Sequence, residues 1–227
     1  MVEKTTHITK DFFGFLKELE KHNNREWFTK NKGRYEGSVQ APSLRFIRDA
    51  GTRLKEISPY LVADPKPFGG SMMRIYRDVR FSRDKSPYRT TVGIHFSHRG
   101  TRGKAQHLPG LFLHLESGEN RAYSGVWQPD PPILKRIRDR IVDEPEAWRR
   151  VARGKIQLEG ESFKRPPVGY APDHPFIQDL VRKDFVASVG FRDAEVTSPD
   201  FLDTFFDAGK AMDPLNRFLA DAIELPW

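Results

Sequence analysis

In the first sixty residues the apolar positions recur every three or four places. Phe12, Phe13, Leu16 and Leu19 follow Thr9, which is suited to cap a helix. Asn24 caps a second predicted helix, REWFTKNKGRY, with Trp27, Phe28 and Tyr35 on related turns. A third opens at Pro42, carries Leu44, Phe46, Ile47, Leu54 and Ile57, and ends at Ser58-Pro59. The period then falls to two. Met73, Ile75 and Arg77 alternate with Arg74, Tyr76 and Asp78, and the same rhythm runs through Val92–Ser97 and Leu111–Glu116. Tyr123–Trp127 reads as a fourth strand. Beyond Asp130-Pro131-Pro132 the helical period returns in Ile133, Leu134, Ile137 and Ile141, and Asp143 with Glu146 forms a capping-box pattern. Lys164–Pro175 is a proline-rich loop. Asp173 caps a helix running to about Lys183, a strand covers Phe185–Phe191, and Ser198-Pro199 opens a last helical pair. Helices on both sides of a central meander predict one α+β domain over 1–227. Its parts are a helical stretch (9–58), an antiparallel sheet (about 60–128) and a helical remainder (130–227).

Composition supports a folded interior more than its polarity suggests. Apolar residues are 37% and charged residues 30%, but there are 17 Phe, 4 Trp and 6 Tyr to fill a core. The chain has no cysteine, which excludes disulfides, thiolate metal sites and a cysteine nucleophile and suits a reducing compartment. No apolar run reaches the roughly 18 residues of a membrane span, and MVEKTTHITKDFFGFL lacks a signal-peptide core. A cytoplasmic protein without a membrane partner is the expectation.

Charge changes the picture most. The formal net charge is +7, and residues 70–104 alone hold nine Lys or Arg against Asp78 and Asp84. The other 192 residues balance at 29 basic and 29 acidic. Within that stretch RDVRFSRDKSPYRT, residues 77–90, links two predicted strands and is too long for an ordinary hairpin turn. Several guanidinium forks converge best on an oxyanion, with the aspartates orienting them and Phe81, Pro87 and Tyr88 pinning the loop. The expected anion ligands are therefore Arg77, Arg80 and Lys85, with Ser82 and Tyr88 as hydroxyl donors and Asp78 and Asp84 as braces. Asn24, Arg25 and Asn31 on the second helix are expected to add an amide-rich helix N-terminus to the same pocket. The competing structural reading is an Arg–Asp network that only braces the loop.

Ser82 and Lys85 also show the Ser-x-x-Lys spacing of one acyl-enzyme class, but the companion motifs are absent and the pair precedes Ser86-Pro87 in a loop. If strands 92–97 and 111–116 pair, His95, His114 and Glu116 share a polar face. That makes them candidates for proton transfer, in preference to a metal site. Phosphate-loop, dinucleotide, zincin and nucleophile-elbow motifs are missing, so no cofactor is expected.

Several segments together resemble a known family. FLKELEKHNNREWFTKNKGRYE, RDVRFSRDKSPYRT, LHLESG, SGVWQPDPPILKRIRDRI and KRPPVGYAPDHP are similar to the family catalogued as domain of unknown function 2461. The matching positions are Asn23, Arg25, Trp27, Phe28, Asn31, Lys32 and Tyr35, then Arg77, Asp78, Arg80–Ser82, Asp84, Lys85, Pro87 and Tyr88, then His114 and Glu116. The resemblance implies one soluble α+β domain of bacterial or fungal type, and it implies no activity. The leading functional expectation is a basic pocket for a phosphate- or carboxylate-bearing small molecule, with catalysis as an extension of it. The alternatives are a nucleic-acid-binding module and a structural or interaction protein.

Overall fold

The computed structural model describes residues 4–100, 108–152, 154 and 156–227. Helices α1 (Lys10–Lys21), α2 (Arg25–Tyr35) and α3 (Ala41–Gly51) lead the chain, and a π-helical turn at Glu36–Gln40 joins α2 to α3 without a break. The sheet is antiparallel with order β1-β2-β3-β4-β6-β5. Its strands are β1 (Leu61–Val62), β2 (Val92–His98), β3 (Gly110–Leu115), β4 (Asn120–Val126), β5 (Leu158–Glu159) and β6 (Phe185–Phe191). Helices α4 (Pro131–Asp143), α5 (Pro145–Ala152), α6 (Ile177–Leu180), α7 (Asp193–Val196) and α8 (Phe201–Ala222) complete it. The architecture is the predicted α+β.

Alternation places the core. Ile94 and Phe96 of β2, Leu111, Leu113 and Leu115 of β3, Ala122 and Val126 of β4, and Phe185 and Ala187 of β6 are buried on one face. Helix α8 packs across β4 and β6 there, with Phe205, Phe206, Met212, Leu215 and Leu219 buried. The intervening positions His95, Phe112, His114, Arg121, Tyr123 and Ser188 occupy the opposite face.

The predicted strand at 73–78 is not formed as such. Met72 bridges Ile94, after which the chain leaves β2, and Tyr76 bridges Tyr88 instead. Two successive partners replace one ladder, and the segment between 76 and 88 becomes a projecting loop. The helix expected from Asp173 shrinks to the four residues of α6, and the final pair is dominated by the single long α8, which carries Pro214 inside it. Thr9 has extended backbone before α1 but makes no side-chain cap, whereas Asn24 caps α2 by accepting from Trp27 N–H at 2.9 Å.

A charged chain of contacts ties the N-terminus to α8. Lys4 reaches Asp200 and Asp203, Arg53 bridges Asp203 and Glu56, and Lys210 closes on Glu56 at 2.6 Å. Arg53, and then Lys210, hold the Glu56 carboxyl at about 2, below its ordinary 4.5. The folded chain therefore binds fewer protons than the unfolded chain in that range. This part of the stability is complete above pH 4.5 and is lost as pH falls toward 2. The urea midpoint should drop between pH 5 and pH 3, and Glu56→Gln should flatten that drop. An unchanged pH response in Glu56→Gln would remove Glu56 as its cause.

Candidate functional site

The root of the basic loop is assembled from three places in the chain. Asn23, between α1 and α2, behaves like a strand residue: its side-chain amide donates to the Tyr88 carbonyl at 3.0 Å and accepts from the Tyr88 N–H at 3.1 Å. The Tyr88 ring stacks on Phe28 with centroids 4.1 Å apart, and Phe28 in turn contacts Tyr35 and Tyr76. Tyr88 is buried, so loss of water pushes its hydroxyl pKa up. Tyr88 is the loop's anchor. Phe81, expected to share that role, is 95% exposed.

Above this root the loop braces itself. The Arg77 guanidinium donates to the Asp84 carboxylate and, at 3.2 Å, to the Ser86 carbonyl. Asp84 also accepts from the Ser86 hydroxyl at 2.6 Å and the Ser86 N–H at 2.9 Å. The Ser86 contacts first, and Arg77 after them, hold the Asp84 carboxyl well below the usual carboxylate range. Asp78 accepts from Arg80 Nε at 2.9 Å and from its terminal nitrogen at 2.7 Å, so Arg80 lowers the Asp78 pKa. Lys85 Nζ donates to the Val79 carbonyl at 2.9 Å. Ser82 and Lys85 lie in this loop and not on a helix, so the Ser-x-x-Lys geometry is not built.

A polar cavity of about 350 Å³ opens at the root, lined by Glu20 at the end of α1, Asn23, Arg77, Asp84, Ser86, Tyr88 and Arg89 to Thr91. Of the predicted anion set, Arg77, Asp84 and Tyr88 line it. Arg80, Asp78, Ser82 and Lys85 belong to the loop beyond it, and the Arg80 side chain is 76% exposed. Asn24 is spent on its cap, Asn31 bonds to the Trp27 carbonyl and to Arg34, and Arg25 is exposed; none of the three lines the cavity. Arg89 is the cavity cation missing from the expected set, as are the lining residues Glu20, Ser86, Thr90 and Thr91. The Arg89 Nε is buried with no hydrogen-bond partner among the described residues. The usable signal was its place beside Tyr88: if Tyr88 faces inward at a bridge, its neighbour faces the other way.

His95 and His114 lie on one sheet face, and Glu116 follows directly after the end of β3. Gly93 faces His114 across the ladder and His95 faces Phe112. His114 Nε2 and Glu116 lie 3.0 Å apart, and the His95 ring packs 4.4 Å from Phe112. Burial lowers the His95 pKa, which keeps the imidazole neutral at pH 7. Gly93 makes this packing feasible, because an added Cβ would meet the Phe112 ring at 2.8 Å. None of these three residues lines the cavity. Among the described residues no cluster of three His, Asp or Glu is arranged to hold a metal, and no helix is long and apolar enough to cross a membrane.

Comparison with curated proteins and with solved structures finds no match. A family model described as a conserved hypothetical protein, DUF2461, matches residues 11–218, which include the α1–α2 junction, the basic loop and the His114–Glu116 strand. The chain belongs to the DUF2461 family of conserved hypothetical proteins.

Proposed function

We propose that the chain binds a small phosphate- or carboxylate-bearing molecule in the cavity at the root of the basic loop, with Arg77 and Arg89 as its cations. The observation that carries this is Arg89: a guanidinium beside a polar cavity, with a buried Nε that no described group satisfies. An unpaired buried donor costs about 1–3 kcal/mol, so the Arg89 side chain is held there at a cost, with its terminal guanidinium donors left for an oxyanion in the cavity. Arg77 retains donors beyond those given to Asp84 and Ser86, and Thr90, Thr91 and Ser86 add hydroxyls to the lining. Glu20 and Asp84 bring negative charge to the same cavity. Asp84 is already engaged by Arg77 and Ser86, which leaves Glu20 to oppose a dianion and to favour a monoanionic or zwitterionic ligand. The proposal is one of binding and assigns no reaction to the cavity.

The test is a titration with phosphate, acetate, glycine and phosphoethanolamine, read by thermal shift and calorimetry. Arg89→Met should leave the melting temperature unchanged or higher, because it removes an unsatisfied buried donor, and should weaken binding at least about tenfold, roughly 1.4 kcal/mol. Arg80→Ala should bind as the parent does. Equal binding by the parent and Arg89→Met, or no binding of any of the four probes, would overturn the proposal.

A further inference from the structure

We infer that the tip of the basic loop is a contact surface for single-stranded nucleic acid, separate from the cavity at its root. Phe81 is 95% exposed at the tip, and what distinguishes it from a lone surface ring is the charge around it. Phe81 stands between Arg80 and Arg83, and the Arg80 guanidinium lies 5.8 Å from the Phe81 ring centroid, held by its ion pair with Asp78. Arg83 is exposed and pairs with no described carboxylate. Lower on the stem, Arg74 is exposed and Tyr76 is 45% exposed. Cations thus flank aromatic faces along one projecting segment, and the chain's whole excess positive charge falls in the stretch that contains it.

Phosphates and bases answer both features at once. Backbone phosphates suit Arg74, Arg83 and Lys85, and an unstacked base suits the Phe81 face next to Arg80. A duplex keeps its bases stacked inside and would leave Phe81 unused. A membrane surface is the poorer match, because Phe81 is the one large apolar side chain at the tip and a single ring gives marginal insertion. The stem is rigid enough to present the tip, since Asn23 and Phe28 fix Tyr88 at its base.

The experiment is fluorescence anisotropy of the full chain with a labelled twenty-residue oligo-dT at 50 and 200 mM salt. Binding should weaken steeply with salt, with a log–log slope of about −2 for three neutralised phosphates. Phe81→Ala should weaken binding about tenfold at both salts without changing the slope, since stacking is not electrostatic. Arg83→Ala should reduce the slope by about 0.7. Arg89→Met should bind the oligonucleotide as the parent does, which separates the tip from the cavity. The inference is overturned by any of three results: no binding at 50 mM salt, binding indifferent to Phe81→Ala and Arg83→Ala, or recruitment to phosphatidylserine vesicles with no affinity for the oligonucleotide. Phe81 and Arg83 are exposed, so their alanine variants should fold.

Discussion

Tyr88→Ala should cost about 3–5 kcal/mol of stability, the range for removing a buried aromatic ring. For a chain of this length that lowers the melting temperature by on the order of 10 °C. The ring fills the space against Phe28 and touches Tyr76, and its backbone is the part of the loop that Asn23 grips. Alanine leaves a void between the loop and α2 while the two backbone hydrogen bonds remain. Tyr88→Phe keeps the stacked ring and should change stability by less than about 1 kcal/mol, because volume-conserving swaps are tolerated. Asn23→Ala attacks the other half of the clamp. It strands the Tyr88 N–H and carbonyl together, at about 1–3 kcal/mol for each group that water does not reach. Denaturant unfolding of the three variants separates ring from amide. A Tyr88→Ala variant as stable as Tyr88→Phe would show that the loop is not anchored at this residue.

That clamp also explains what local pattern can and cannot reveal. The alternation in Val92–Ser97 and Leu111–Glu116 is readable because those strands have one buried and one more open face along most of their length, and period two records that directly. The same alternation in Met73–Asp78 misled, because a strand also needs a partner along its length. Here the partner changes from β2 to the far side of the loop after Met73. Edge strands β1 and β5 have two residues each, too few to carry any period. The Asn24 cap was legible because it acts three residues away, whereas the Asn23–Tyr88 pairing spans 65 positions and depends on the whole chain being folded.

The candidate site divides along the same line. Cation density in residues 77–90 is a property of composition and could be seen at once. Which cations stay available is decided by neighbours. Asp78, two residues before Arg80, takes that guanidinium locally, and one bond to the Val79 carbonyl keeps Lys85 in the loop beyond the cavity with two donors to spare. Phe81 was expected to be an anchor because an apolar residue in a loop usually packs, yet the loop's packing had been met by Tyr88 and nothing was left for a second ring to cover. Several of the residues that carry the family resemblance, Asn23, Phe28, Arg77, Asp84 and Tyr88 among them, thus build the stem that holds the cavity below and the tip above.

Gly125→Ala should be more damaging than any surface change in the chain, at more than about 4 kcal/mol, and is expected to abolish soluble expression or leave a loosely packed product. Gly125 has φ +121°, a conformation that residues with a Cβ rarely adopt, and it pairs with Gly110 on one side and Val186 on the other. An added Cβ would stand 2.0 Å from the Phe185 carbonyl oxygen and 3.1 Å from the Val186 Cα. Both obstacles are backbone, so no rotamer change relieves them, and β6 must move away from β4. Phe185 would move with it. Its ring meets Trp148 edge-on at 5.7 Å, and Trp148 in turn packs 5.0 Å from Phe218 of α8, so the displacement reaches the centre of the core. Gly190, on the same pair of strands opposite Arg121, supplies the control. Its φ is ordinary and an added Cβ would meet nothing closer than the Asn120 carbonyl at 4.0 Å. Gly190→Ala should therefore stay within about 1 kcal/mol of the parent. Soluble yield, near-ultraviolet circular dichroism and thermal unfolding of the two variants make the comparison. A Gly125→Ala protein that melts within a few degrees of Gly190→Ala would mean that the β4–β6 seam yields far more readily than its backbone contacts imply.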